Sequence, residues 1–193
     1  MPFKPLRVTA ALALVLALAA PVAAAAPAEP GTPAPTTVSA LKGEARMAYP
    51  VDTEEVRFSI DAHSVYGAGN RPERSWGTFR LSHSYQRPDG TTQVRWGDFK
   101  VDCLTTGGPT ATVTGTLVRT SPGHPWTGRV HPHFRQGVSF LVPEGGGAAR
   151  IGLSGATGPD QPRTTPCLAP AADSPVHDGT YTLKDRSRGA SRT

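Results

Sequence analysis

From Leu41 to Leu183 the apolar residues of this chain recur at every second position, the spacing of a half-buried strand rather than of a helix. Leu41, Ala45 and Met47 alternate with Lys42, Glu44 and Arg46, and Val56, Phe58, Ile60 and Ala62 alternate with Arg57, Ser59 and Asp61. The same rhythm runs through Phe79 and Leu81, through Ala111, Val113 and Leu117, and through Val138, Phe140 and Val142. Ile151 with Leu153 and Tyr181 with Leu183 complete the set. Threonines at 110, 112, 114 and 116 occupy the opposite face of one such run, where β-branched side chains suit a pleated surface. With 20 prolines and 21 glycines in 193 residues, nothing beyond the N-terminal segment sustains a helix of about ten residues.

Turn signals separate the runs: Asn70-Arg71-Pro72, Pro88-Asp89-Gly90, Gly107-Gly108-Pro109 and Gly145-Gly146-Gly147. Pro-Asp-Gly is suited to a hairpin between a strand ending near Ser84 and one starting near Thr92. About eight antiparallel strands follow, and the expected fold is all-β: a β-sandwich, a jelly roll or a small barrel. One run changes parity. Val94 and Trp96 are even-numbered, whereas Phe99, Val101 and Cys103 are odd. Either a β-bulge at Gly97–Asp98 returns the apolar side to the core, placing Cys103 inward, or a tight turn splits the run into two strands.

The N-terminus is organised differently. Lys4 and Arg7 precede an apolar run from Val8 to Ala20, and small residues follow at Ala23 to Ala26. This is the pattern of a cleavable signal peptide, residues 1–25, with cleavage expected after Ala25. Pro21 cuts the run short of the roughly 20 apolar residues that a bilayer span needs. Residues 26–38, with four prolines, read as an extended linker. The expected organisation is therefore signal 1–25, linker 26–38, β domain 39–184 and a disordered basic tail 185–193. Export makes the expected location extracellular or in the cell envelope, without a membrane anchor after cleavage.

Export also decides the reading of the two cysteines, Cys103 and Cys167. In an oxidising compartment two thiols in one small domain pair, and a metal site would want a C-x-x-C or similar spacing that is absent here. The bridge would close a loop of roughly 65 residues, worth about 4 kcal/mol on the chain-entropy account. Removing Lys4 and Arg7 from the 20 basic residues leaves 18 against 15 acidic ones, a net charge of +3. The only basic cluster is the tail Lys184, Arg186, Arg188 and Arg192, so the electrostatic footprint of a nucleic-acid binder is missing.

Candidate chemistry is thin. His131-Pro132-His133, with His124 upstream, is the one tract resembling a metal site, since residues two apart on a strand share a face. Pro132 and the lack of a nearby carboxylate favour a stiff exposed loop instead. Asp61 and His63 share the outer face of their strand, and His83 continues the inward face behind Phe79 and Leu81. A carboxylate–histidine pair is half of a catalytic relay, but no G-x-S-x-G supplies a nucleophile. Ser39-x-x-Lys42 begins a strand, whereas the S-x-x-K motif works from a helix. Asp98 and Asp102 are close in sequence with undefined relative facing, and Asp52, Glu54 and Glu55 read as a solvated turn. Trp76, Trp96 and Trp126 offer a carbohydrate platform or, on the plainer reading, a strand-edge residue, a core residue and a loop anchor respectively. No phosphate loop, dinucleotide fingerprint or calcium loop occurs, so no cofactor is expected.

The blocks Arg57-Phe58-Ser59-Ile60-Asp61-Ala62-His63, Gly77-Thr78-Phe79-Arg80-Leu81-Ser82-His83 and Val101-Asp102-Cys103-Leu104-Thr105-Thr106-Gly107-Gly108 lead into Ala111-Thr112-Val113-Thr114-Gly115. Together they resemble a group of small secreted actinobacterial proteins often labelled "repetin". The resemblance covers scattered blocks of residues 39–183 and implies a signal peptide, an all-β domain and a cysteine pair, with no catalytic residues to carry over. The Ala-, Gly-, Pro- and Arg-rich composition fits an actinomycete origin. The expected function is that of a secreted, non-catalytic β domain binding an extracellular protein or polymer. The rivals are a hydrolase built on Asp61, His63 and His83, and a metal-binding protein built on His124, His131 and His133.

Overall fold

The computed structural model describes residues 37–129, 134–155 and 164–185. The signal segment 1–25, most of the linker, and residues 186–193 of the tail lie outside them. Eight antiparallel strands form one sheet: β1 (Thr37–Met47), β2 (Glu55–Tyr66), β3 (Arg74–Gln86), β4 (Thr92–Gly107), β5 (Thr110–Thr120), β6 (Arg135–Leu141), β7 (Arg150–Leu153) and β8 (Ser174–Lys184). Each strand pairs with the next, and β8 returns to pair with β1, so the sheet closes into an up-and-down barrel. The closure is thinnest between β7 and β8, which meet only at Arg150↔Pro175 and Ile151↔Ser174, while β8 pairs with β1 from Val176 to Lys184. Among the described residues there is no α-helix, only two short 3₁₀ turns. The Pro88-Asp89-Gly90 hairpin falls where the turn chemistry puts it: the Asp89 carboxylate accepts from the Thr91 amide at 2.9 Å, and Gly90 takes a positive φ of 81°.

The domain is slightly longer at both ends than the sequence pattern suggests. Thr37 and Val38, expected in the linker, already pair with Tyr66 and Val65. Asp185, expected in the tail, is buried, and its carboxylate accepts from the Gly108 amide at 3.1 Å.

The period-two sets point into the barrel. Phe58, Phe79, Phe99, Phe140 and Tyr181 meet across its bore, with ring centroids 5.2 Å apart for Phe58–Phe79, 4.7 Å for Phe79–Phe99, 5.5 Å for Phe58–Phe140 and 5.0 Å for Phe140–Tyr181. Each buried aromatic contributes roughly 1.5–3 kcal/mol through removal from water. One end of the bore is shut by Tyr66, whose hydroxyl donates to the Leu104 carbonyl at 3.0 Å and accepts from the Thr106 amide at 3.2 Å.

The parity change in β4 resolves differently from either expectation. β4 is a single strand, and its inward set is odd-numbered from Arg95 through Gly97, Phe99 and Val101. Val94 and Trp96 therefore lie on the outer face, and Trp96 is not core. The register does shift beside Asp98, but the unpaired extra residue is Val118 on β5. The bulge on β4 comes later, at Asp102, which has no opposite number between the Val101↔Gly115 and Cys103↔Thr114 pairs. Directly paired residues share a face, so Cys103 lies with Thr114 on the outside of the barrel wall, not in the bore. Leu104, opposite Val113, resumes the inward set.

Cys103 is nevertheless almost fully buried, because the segment 164–173 crosses the outer face of β5, β6 and β7 as a strap. The Cys103–Cys167 disulfide ties it down. The Cys167 amide donates to Thr114 Oγ1 at 3.1 Å, Ser139 Oγ donates to the Pro170 carbonyl, and Arg135 donates to the Thr164 carbonyl at 3.0 Å. Gly137 and Gly152 let the strap approach so closely that a Cβ at either would overlap the carbonyl oxygen of Leu168 or Ala171. β6 is consequently covered on both faces: Val138 and Phe140 by the bore, Gly137 and Ser139 by the strap.

Breaking the bridge should therefore loosen the strap before the barrel. A Cys103→Ser/Cys167→Ser chain is expected to lose about 4 kcal/mol of unfolding free energy on the loop-closure account. Hydrogen exchange on that chain should show protection lost first at residues 164–173. Urea curves superimposable with and without the bridge would contradict this.

Candidate functional site

At the end opposite Tyr66 the bore stays open. The inward side chains of β3 continue past the core as Leu81, His83 and Tyr85, and those of β4 as Arg95 and Gly97. The segment after β5 folds back over them. Its entry is held by a reciprocal pair: the Ser121 amide donates to the Trp96 carbonyl at 2.9 Å, and the Trp96 amide to Ser121 Oγ at 3.2 Å. This delivers Trp126 onto Gly97, where any Cβ would crowd the indole at about 3 Å. The indole caps the aromatic column, 5.9 Å from Phe99 and 5.2 Å from Phe134.

Above that floor lies a cavity of about 460 Å³ lined by Glu54, Leu81, His83, Tyr85, Arg95, His124, Pro125 and Trp126. A second space of about 230 Å³ adjoins it at Leu81, His83 and Trp126 and reaches Met47, Tyr49 and Gln136. The larger volume falls within the roughly 300–1,000 Å³ of small-molecule sites, with an apolar floor and few polar groups as such sites have.

Each polar group has a defined setting. His83 Nε2 lies 2.5 Å from Glu54 Oε2, and its ring is flanked by Tyr49 at 5.2 Å and Tyr85 at 5.7 Å. Tyr85 donates its hydroxyl proton to Gln93 Oε1 at 2.6 Å, and the Arg95 guanidinium sits over the Tyr85 ring at 5.2 Å. Arg95 Nε is buried without an acceptor among the described residues. His124 Nδ1 accepts from the Trp126 amide at 3.0 Å, which leaves the proton of the neutral ring on Nε2. Burial pushes the His124 pKa below the ordinary imidazole value, and the charge of Arg95 pushes it the same way.

The sequence candidates are dispersed by this geometry. Asp61 and His63 do share an outer face, with His63 Nε2 2.6 Å from Asp61 Oδ1 and Lys42 Nζ 3.0 Å from Asp61 Oδ2. Hydrogen bonding from Lys42, reinforced by His63 against a small burial penalty, lowers the Asp61 pKa. His83 faces the bore, opposite Val56, so it does not meet that pair. His124 lines the cavity, while His131 and His133 lie outside the described residues. Among the described residues no group of three or more His, Cys, Asp or Glu side chains is arranged to hold a metal ion.

The two aspartates of β4 are neutralised separately. Asp98 is gripped by Arg80 at 2.6 and 3.0 Å and by Arg119 at 2.7 and 3.0 Å; Asp102 accepts from Arg135 at 2.6 Å and from Thr114. The Arg80 hydrogen bond lowers the Asp98 pKa most, with burial opposing it and Arg119 assisting. Trp96 lies outside, with Arg80 and Arg119 over its ring at 4.3 and 5.3 Å, and Trp76 lies outside against His63 and Arg74. Ser39 bonds Thr106 from the inner face and Lys42 bonds Asp61 on the outer, so they form no S-x-x-K unit.

Glu54, Tyr85 and Arg95 were not signalled as site residues. Glu54 sat in an apparently solvated turn, yet its carboxylate reaches His83. Arg95 carried a usable signal, because it shares the odd parity of Phe99 and Val101; the expectation of a bulge at Gly97–Asp98 reversed its facing. Compared with known protein families, curated proteins and solved structures, the chain has no match.

The His124–Arg95 coupling is open to titration. A folded-state imidazole held below its unfolded value favours the neutral ring. Stability is therefore full above the ordinary imidazole range and declines as pH falls through it toward the folded value. In an Arg95→Met chain the His124 pKa, followed by NMR of the ring protons, should rise. An unchanged or lower value would show that the guanidinium does not act on this ring.

Proposed function

We propose that this chain is an exported, non-catalytic binding protein that receives its ligand in the open end of the barrel. The carrying observation is the cavity itself: an apolar floor of Leu81 and Trp126 under a rim of Arg95, His124 and the His83–Glu54 pair. Its volume suits a small molecule, or one projecting group of an extracellular protein or polymer. Export is supported by the N-terminal segment and by the Cys103–Cys167 bridge, which fits an oxidising setting. Among the described residues no helix is long and apolar enough to cross a membrane.

Binding rather than turnover follows from the neighbours of the histidines. His83 is oriented by a carboxylate, as a general base would be, but among the described residues no serine, threonine or cysteine lines the larger cavity. Ser154, which lines the adjoining space with His83, accepts there from Gln136 and from the Gly137 amide. The Asp61–His63 pair is on the outer wall, tied to Lys42 and stacked on Trp76, away from the cavity.

Two measurements test the reading. Protein recovered from the medium of an expressing actinomycete should begin at Ala26; intact chain starting at Met1 and retained in cells would refute export. The neutral naphthalene dye prodan should bind at one site per chain with a blue-shifted emission. Leu81→Trp, which fills the floor, should weaken it by about tenfold or more, the order of one lost apolar contact surface. Dye uptake indifferent to Leu81→Trp, or no uptake at all, would remove the cavity as the binding site.

A further inference from the structure

The cavity rim has an unbalanced charge. Glu54 is engaged by His83 at 2.5 Å, whereas Arg95 has no carboxylate partner among the described residues. Five other cations of the barrel wall have one: Lys42 with Asp61, Arg57 with Glu55, Arg80 and Arg119 with Asp98, and Arg135 with Asp102. Arg95 also has its Nε buried and is held over the Tyr85 ring rather than extended into solvent. A partly desolvated guanidinium without an anion is costly, and the same setting strengthens any anion it meets.

A second donor stands beside it. The Trp126 amide occupies His124 Nδ1, so the neutral ring offers Nε2–H. Two donors and no unengaged carboxylate then border an apolar floor of Leu81 and Trp126. One guanidinium matches a monoanion. A phosphate dianion would want more positive charge and would sit in a cavity that also holds the Glu54 carboxylate.

Resting on the binding reading above, we infer that the cavity selects a free organic monoacid, whose carboxylate meets Arg95 and His124 while its aromatic or branched apolar body lies on Leu81 and Trp126. The ligand is thus a compact molecule of naphthoate or phenylalkanoate chemistry, taken whole into the mouth. The same carboxylate chemistry occurs at a peptide C-terminus, and the experiment separates the two sources.

The full chain is titrated by heteronuclear NMR with 2-naphthoate and its uncharged isostere 2-naphthamide, following the Trp126 indole N–H. The acid should bind at least about tenfold tighter than the amide, the order expected of one charge-assisted hydrogen bond. In Arg95→Met the advantage of the acid over the amide should be lost. Equal binding of acid and amide to the unaltered chain would overturn the inference while leaving the binding reading intact. Because that comparison needs no variant, a poorly folding Arg95→Met chain does not blunt it. If neither probe moves the Trp126 signal while prodan still binds, the inference also falls; if prodan fails too, the binding reading falls with it. In a third arm N-acetylphenylalanine should bind as tightly as acetyl-triglycyl-phenylalanine. Tighter binding of the peptide would overturn the free-acid assignment in favour of a chain terminus.

Discussion

The aromatic column inside the barrel is the constraint from which the remaining architecture follows. An eight-stranded barrel encloses a bore that side chains just fill, or that holds one small ligand in place of some of them. Here Phe58, Phe79, Phe99, Phe140 and Tyr181 fill the middle, and Tyr66 hydrogen-bonds across one end. Nothing remains to be enclosed except at the opposite end, where the inward residues turn polar as Gln93, Arg95, His83 and Tyr85. The cavity is thus the place where the strands outrun their own core. Trp126 marks the boundary between the two regimes, packed on Phe99 below and lining the open space above.

The strap answers a different need. β6 and β7 are short, and β7 meets β8 through only two residue pairs, so this arc of the wall has little ladder to hold it. Segment 164–173 supplies a second layer there. It is pinned by the disulfide, by Arg135 and Arg150, and by the missing side chains of Gly137 and Gly152. A bridge from wall to strap stabilises the thin arc without entering the bore.

Strands, hairpins and the pairing of the cysteines were legible because each depends on local pattern or on composition. Period two marked the inward sets of β1, β2, β3, β5, β6 and β8, and Pro88-Asp89-Gly90 marked its hairpin. Facing along β4 was not legible. The apolar Val94 and Trp96 look like core in sequence, but Trp96 is stabilised outside by the Arg80 and Arg119 guanidiniums, which a hydrophobic count cannot anticipate. Bulges at Val118 and Asp102 compensate one another across the β4–β5 ladder, and neither position carries a glycine to announce it. The misplaced bulge in turn hid Arg95 and put Cys103 on the wrong side of the wall.

The sequence by itself determined an all-β domain, its strand number, its hairpin positions and a disulfide, because alternation, turn residues and cysteine count act over a few residues or over the whole composition. Only the tertiary structure decided that the sheet closes into a barrel, since closure depends on β8 finding β1 across more than a hundred residues. It also decided which polar residues meet. Glu54 with His83, and Arg95 with Tyr85 and His124, come from four separate segments, and their proximity is a property of barrel circumference and strand register rather than of spacing along the chain. Asp61 and His63 were legible as a pair because two residues on one strand face share a side regardless of fold. Which space such a pair faces is settled by where the sheet curves: Asp61 lines a groove on the outer wall with Arg80 and Asp98, apart from the cavity at the barrel mouth.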